Sequence, residues 1–145
     1  MPTDEFVAAV KIECALVIPA RRRSTRLPDK LLLRDTGKPL IQHTFEAASR
    51  ARLPDAVIVA TDDREIAREA RRFGAQVAMT SGDCRSGTDR VAEVARRLPR
   101  AEIVVNVQGD EPDIEPESID RLVAMLRENR SASMATLAAP IRTAT

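Results

Sequence analysis

Apolar positions fall into short blocks that punctuate longer, helically spaced stretches. The blocks are IECALVI (12–18), AVIVA (56–60), AQVAM (75–79), EIVVNV (102–107) and SMATLA (133–138). Near-continuous apolar runs of this length, rich in Val and Ile, suit strands buried on both faces of a parallel sheet. Five strands are predicted. Between them the apolar residues recur every three or four positions. Ile41, Phe45 and Ala48 stripe 40–51, and Ile66, Ala67 and Ala70 stripe 61–74. In that second helix Asp62 is the expected N-cap, Glu65 closes a capping box, and Gly74 is the stop. Val91, Val94, Ala95 and Leu98 mark a third helix, and Ile119, Leu122, Val123 and Leu126 a fourth, with Pro116 in its first turn.

Strands alternating with helices imply right-handed crossovers and an α/β fold, a Rossmann-like three-layer α/β/α sandwich with a mostly parallel sheet. No linker, repeat or low-complexity segment interrupts the alternation. The reading is a short leader at 1–11 and one nucleotide-binding α/β domain at 12–145. In such a sheet ligands bind beyond the carboxyl ends of the strands, so the informative loops follow positions 18, 60, 79 and 107.

Composition narrows the class. Hydrophobic residues make up 43% and charged residues 31% of 145 residues, and the formal net charge is +1. A nucleic-acid binder carries a clear basic excess and aromatic stacking platforms. Here Phe6, Phe45 and Phe73 are the only aromatics, so that class is set aside. Cys14 and Cys84 lack CxxC spacing and read as free thiols in a reducing compartment. The lone His43 builds no metal site by itself. No apolar run approaches the roughly 20 residues that span a bilayer, and Asp4 and Glu5 occupy the place where a signal peptide needs positive charge. The expectation is a cytoplasmic protein without membrane insertion.

The loop after the first strand, ARRRSTRLPDK (20–30), holds five cations in eleven residues. It contains neither GxGxxG nor GxxxxGK[ST]. Arg21, Arg26 and Lys30 lie along an irregular segment between Pro19 and Pro28. Such cations can surround a triphosphate, Arg gripping two oxygens at once and Lys supplying a compact charge; a solvated basic loop is the alternative. Arg22 and Arg23 are expected to face solvent as bystanders. The loop after the fourth strand, NVQGDEPDIEP (106–116), crowds Asp110, Glu111, Asp113 and Glu115. Hard carboxylate oxygens suit Mg²⁺, which takes one or two of them plus phosphate oxygens and water; acidic residues before a helix are the plainer reading. A basic and an acidic loop at one sheet edge point to nucleotidyl transfer, provided that Lys30 and Asp110 converge. TSGDCRSGTDR (80–90) could read a base or ribose through Ser86, Gly87 or Thr88, or could simply cap a helix through Ser86 and Asp89.

VIPARRRSTRLPDKLL (17–32), GKPLIQHTFEAA (37–48), VATDD (59–63), SGTDR (86–90), VNVQGDEP (105–112) and MATLAAPI (134–141) together resemble the 3-deoxy-manno-octulosonate (Kdo) cytidylyltransferases, or CMP-Kdo synthetases, from about residue 16 to the end. The resemblance implies the nucleotide-diphospho-sugar transferase fold and transfer of CMP from CTP to Kdo for lipopolysaccharide biosynthesis, with Mg²⁺ as cofactor and a homodimer in the full-length family. It implies that Arg21 and Lys30 hold the triphosphate beside Ala20, with Arg26 assisting. Asp110 would ligate the metal, and Gln108, Ser86 and Gly87 would lie near cytosine or ribose. Arg21, Lys30 and Asp110 are the implied catalytic group.

Two residues depart from the family pattern. Asp29 stands where Gly is common, placing a negative charge beside Lys30 that either weakens CTP binding or turns outward. Cys84 stands where His is common. The sugar-acid pocket, a second metal-binding carboxylate and most of the dimer surface are expected beyond Thr145, so the chain reads as C-terminally truncated relative to the family. Alternatives are a CTP-binding module without turnover and a nucleotidyltransferase for another sugar acid or sugar phosphate.

Overall fold

The computed structural model describes residues 11–23 and 26–142. The leader expected at 1–11 therefore lies, apart from Lys11, outside the described residues. Four strands form one parallel sheet: β1 (Cys14–Ala20), β2 (Ala56–Thr61), β3 (Gln76–Met79) and β4 (Ile103–Asn106). Their order is β3-β2-β1-β4. The helices are α1 (Leu40–Ala48), α2 (Arg64–Arg72), α3 (Gly87–Arg96) and α4 (Pro116–Glu128), and a single 3-10 turn covers Lys30–Leu32. The expected Rossmann-like α/β/α architecture is what forms.

β1 is central, and every one of its residues is buried. Side chains alternate across a strand, so Cys14, Leu16, Ile18 and Ala20 enter one core with Ile41 of α1, Ile66 of α2 and Ile119 and Val123 of α4. Ala15 and Val17 enter the opposite core, against Val91 and Val94 of α3. Burial on both faces is why the run is continuously apolar. β1 pairs with β2 from Ala15↔Ala56 to Ala20↔Thr61, and with β4 only from Cys14↔Ile103 to Val17↔Asn106.

β1 extends two residues beyond its expected end at Ile18, through Pro19. Val17 turns its carbonyl to the β4 side, accepting from Val107 N at 3.1 Å. Pro19, two residues on, faces the same side past the last residue that β4 pairs, so its missing N–H leaves no ladder bond unmade.

Two expectations are corrected. The cap of α2 is Asp63, not Asp62: its carboxylate accepts from Glu65 N and Ile66 N. Asp62 lies one position too early and instead pairs with Arg90 Nη1 at 3.3 Å. The run at 133–138 forms no strand. A strand needs a partner ladder, and no described strand pairs there; the segment is Ala-rich, a weak strand former, and leaves Met134 and Leu137 exposed. Among the described residues no helix is long and apolar enough to cross a membrane.

Leu16 is fully buried at the centre of the larger core. Leu16→Ala is expected to lower unfolding free energy by about 2–5 kcal/mol, read from the midpoint of urea denaturation at unchanged m-value.

Candidate active site at the β1–β4 crevice

From β1 the chain steps to β2 and β3 on one side, then returns to place β4 on the other. β1 is thus the point where strand order reverses, and the loops leaving β1 and β4 diverge around a crevice. Lys30 comes from the first loop and Asp110 from the second. Their side chains meet, Lys30 Nζ donating to Asp110 Oδ2 at 2.8 Å. The expected convergence is met.

Local packing sets both residues. Lys30 opens the 3-10 turn, in which Leu32 N donates to Asp29 O at 2.9 Å and Leu33 N to Lys30 O at 3.3 Å. Leu31 is buried in the core and anchors the turn. Asp29 has φ 56°, a left-handed backbone that Gly adopts freely and that Asp tolerates better than most other residues, though at some cost. Its carboxylate turns from Lys30 to Arg22, accepting from Nε at 2.7 Å. Arg22 also pairs with Glu65 Oε2 at 2.8 Å. Arg22 is therefore not the bystander expected, and neither is Arg23, which lines the cavity beside Lys30 and Asp110. Consecutive residues leaving a strand without regular geometry need not share a face, so periodicity could not assign them.

Asp110 is held through Gly109. A Cβ at Gly109 would sit 3.2 Å from Pro19 O and 3.2 Å from Leu31 Cδ1, so the turn after β4 can press against β1 and the 3-10 turn only without a side chain. The fully buried Thr44 of α1 donates its hydroxyl to Gly109 O at 2.8 Å. The composition of α1 gives no hint of this bond, which only the folded arrangement reveals. The Lys30 hydrogen bond holds the Asp110 carboxyl below its ordinary value, against the opposing effect of partial burial.

Two cavities open here and share Pro19, Arg21 and Gln108 as wall; the Lys30–Asp110 pair lines only the smaller. One, of about 150 Å³, is lined by Arg21, Arg23, Lys30, Gly109 and Asp110. The other, of about 220 Å³, is lined by Ala20, Arg21, Ser86, Gly87, Arg90 and Gln108. Of the residues expected from sequence, Ala20, Arg21, Lys30, Ser86, Gly87, Gln108 and Asp110 come together here. Arg26 is exposed and lines neither cavity. Gly87 lies tight against the Gln108 side chain, a Cβ there meeting Oε1 at 3.0 Å. Ser86 and Asp89 form a reciprocal capping box on α3, so the helix-capping reading of that loop is met, and Ser86 of that pair also walls the cavity. Arg90 was missed from sequence; it is buried, donating to Thr80 Oγ1 and to Ser81 O.

Comparison with known proteins fits this geometry. The sequence profile of a family described as Cytidylyltransferase matches residues 15–145. The chain belongs to the cytidylyltransferase family. Curated relatives include the 3-deoxy-manno-octulosonate cytidylyltransferases of Geobacter sulfurreducens, 56% identical over 88% of this chain and 50% of its own length, and of Rhodopirellula baltica, 48% identical over 90% and 52%. This cytidylyltransferase chain thus spans about half the length of the curated relatives it matches. Among solved structures, a CMP:2-keto-3-deoxy-manno-octonic acid synthetase complexed with CTP superposes with a TM-score of 0.78 at 42% identity, covering 82% of this chain and 49% of that one. Rv0371c of Mycobacterium tuberculosis in complex with manganese superposes with a TM-score of 0.59 at 25% identity, covering 78% and 59%.

The donor set bears on a divalent metal. Asp110 is the one carboxylate among the residues that wall the two cavities, and among the described residues no group of three or more His, Cys, Asp or Glu side chains could hold a metal unaided. A single carboxylate could hold a divalent ion only where phosphate oxygens and water complete the ion's shell. Glu111 and Asp113 are exposed outside both cavity walls. Glu115 is the backbone N-cap of α4, in keeping with the plainer reading of the acidic run.

Two outcomes follow for the isolated cytidylyltransferase chain. Because the folded pKa of Asp110 lies below its unfolded one, its stabilisation is complete above roughly pH 4 and is lost as pH falls through the folded value. A ¹³C-carboxyl NMR titration should place Asp110 below the ordinary carboxylate range, and Lys30→Met should return it towards that range. Gly109→Ala should cost about 1–3 kcal/mol in urea denaturation, since the facing Pro19 carbonyl belongs to a central strand that cannot yield.

Proposed function

We propose that the chain is the nucleotide-binding half of a CMP-Kdo synthetase, transferring CMP from CTP to the 2-hydroxyl of Kdo and releasing pyrophosphate. The observation that carries this reading is the meeting of Lys30 and Asp110 in one of two cavities that share Arg21 as wall, at the reversal of strand order. The cavity beside Lys30 takes the triphosphate. Arg21 and Lys30 bind its oxygens and offset the charge that builds on the α-phosphate as the Kdo hydroxyl oxygen forms a bond to phosphorus and the bond to the β-phosphate breaks. The cavity beside Ser86, Gly87, Ala20 and Gln108 takes ribose and cytosine. Asp110 would hold Mg²⁺, which when bound would supply positive charge to offset that of the leaving pyrophosphate. The solved relative complexed with CTP supports the nucleotide assignment, and the names of the curated relatives support Kdo. Within this reading the protein is cytoplasmic, feeds lipopolysaccharide biosynthesis, and dimerises in full length.

A second reading, CTP binding without turnover, is favoured by one observation: Asp110 is the one carboxylate among the residues that wall the two cavities.

Titration calorimetry with CTP and MgCl₂, followed by pyrophosphate release on adding Kdo, tests both. Binding with release supports the first reading, binding alone the second, and no binding defeats both. Release with N-acetylneuraminate or a sugar 1-phosphate, but not with Kdo, would reassign the acceptor. Where release is measurable, Lys30→Ala and Asp110→Ala should each lower its rate by roughly 10²–10³. Rates near wild type in either variant would remove that residue from the chemistry.

A further inference from the structure

The Lys30 turn carries a strain and a charge that the site must manage, and both belong to Asp29. Its backbone sits at φ 56°, where an L-residue with a Cβ is disfavoured. Its carboxylate is attached one residue from the lysine that meets Asp110. Left unpartnered, it would compete for Lys30 Nζ and repel a polyanion in the adjoining cavity. Arg22 answers both. Its Nε holds Asp29 Oδ1 at 2.7 Å, while its Nη1 holds Glu65 Oε2 at 2.8 Å and lies 3.8 Å from Asp63 Oδ2. Asp63 is the N-cap of α2 and Glu65 lies in its first turn. The guanidinium thus ties the turn to a helix end that packs rigidly into the core through Ile66 and Ala70.

We propose that Arg22 is a positioning residue: by clasping Asp29 to the start of α2, it fixes the left-handed turn and leaves Lys30 free to serve the anionic ligand of the cavity. The clasp rests on the nucleotide reading only for what that ligand is. Arg22 itself is absent from both cavity walls, so it acts through the turn and not by touching substrate.

Amide hydrogen exchange of the nucleotide-free chain tests the clasp directly. The Leu32 N–H that closes the turn onto Asp29 O should exchange about three- to tenfold faster in Arg22→Ala, the range expected for losing two half-exposed ion pairs, while amides of β1 keep their wild-type protection. Unchanged Leu32 exchange overturns the proposal, and equal acceleration in β1 would mean that Arg22 serves the fold as a whole, which also overturns it. CTP calorimetry gives the second readout. Arg22→Ala should weaken CTP binding about three- to tenfold and leave cytidine binding unaltered. Asp29→Gly added to Arg22→Ala should restore CTP affinity, because Gly adopts positive φ at no cost and carries no competing charge. Failure of that rescue counts against the clasp. If the wild-type chain binds no CTP, the nucleotide reading falls while the exchange measurement still decides for or against the clasp.

Discussion

Strand β4 lies beside β1 and not beside β3, and that adjacency makes an oppositely charged pair possible. Strands are spaced by about 4.8 Å. Had β4 been added beyond β3, three spacings, or about 14 Å, would have separated the two loops, too far for one lysine to bridge. Returning across β1 reverses the direction in which the sheet grows. The loops on either side must then part, and the gap between them is the crevice in which Lys30 meets Asp110. The topology therefore determines which charged loops can act on one ligand before any side chain is considered.

The pair does not hold itself together. Both side chains are about two-fifths exposed, and ion pairs of that kind contribute little net stability. Their placement comes from uncharged contacts beneath them. Leu31 roots the lysine turn in the core, Gly109 permits backbone to lie against Pro19 O, and the buried Thr44 hydroxyl fixes the Gly109 carbonyl. A buried hydrogen bond and a close backbone approach lose more when broken than a solvated ion pair does. The accuracy of the site thus derives from its apolar floor, and its charges remain available for other partners.

What the sequence could reveal follows the same division. Strands buried on both faces leave an apolar run, and helices packed on a sheet leave a stripe, so β1 to β4 and all four helices were legible. Lys30 and Asp110 were legible because strand-end loops are where α/β sheets bind ligands and because the surrounding motifs resemble a known family. The cap of α2 was not: Asp62 and Asp63 have the same chemistry one residue apart, and the choice was made by tertiary contacts, chiefly the claim of Arg90 on Asp62. The run at 133–138 is apolar enough to suggest a buried strand, but its Ala content makes it a weak one, and a strand is a relation between two segments of which composition names only one. Arg22 was misread for a like reason, since Glu65 and Asp63 reach it only in the folded chain.

Charge distribution within the first loop links these points to chemistry. The chain as a whole is nearly neutral, yet its cations are sorted by partner. Arg22 is occupied by three acids away from the cavities. Among the described residues Lys30 is paired with Asp110 alone, and Arg21 and Arg23 line the cavity without an ion pair. The wall beside Asp110 therefore carries three cations against one carboxylate, an excess suited to a polyanion. A triphosphate entering there offers Lys30 oxygens of higher charge than one carboxylate does, and the exposed Lys30–Asp110 bond is weak enough to exchange. On the proposed reading, an Asp110 released from the lysine would offer hard oxygens suited to a divalent ion. In the proposed reaction the ligand-free ion pair thus neutralises two groups that the apolar floor has already placed, and a nucleotide with its metal would replace one half of the pair each.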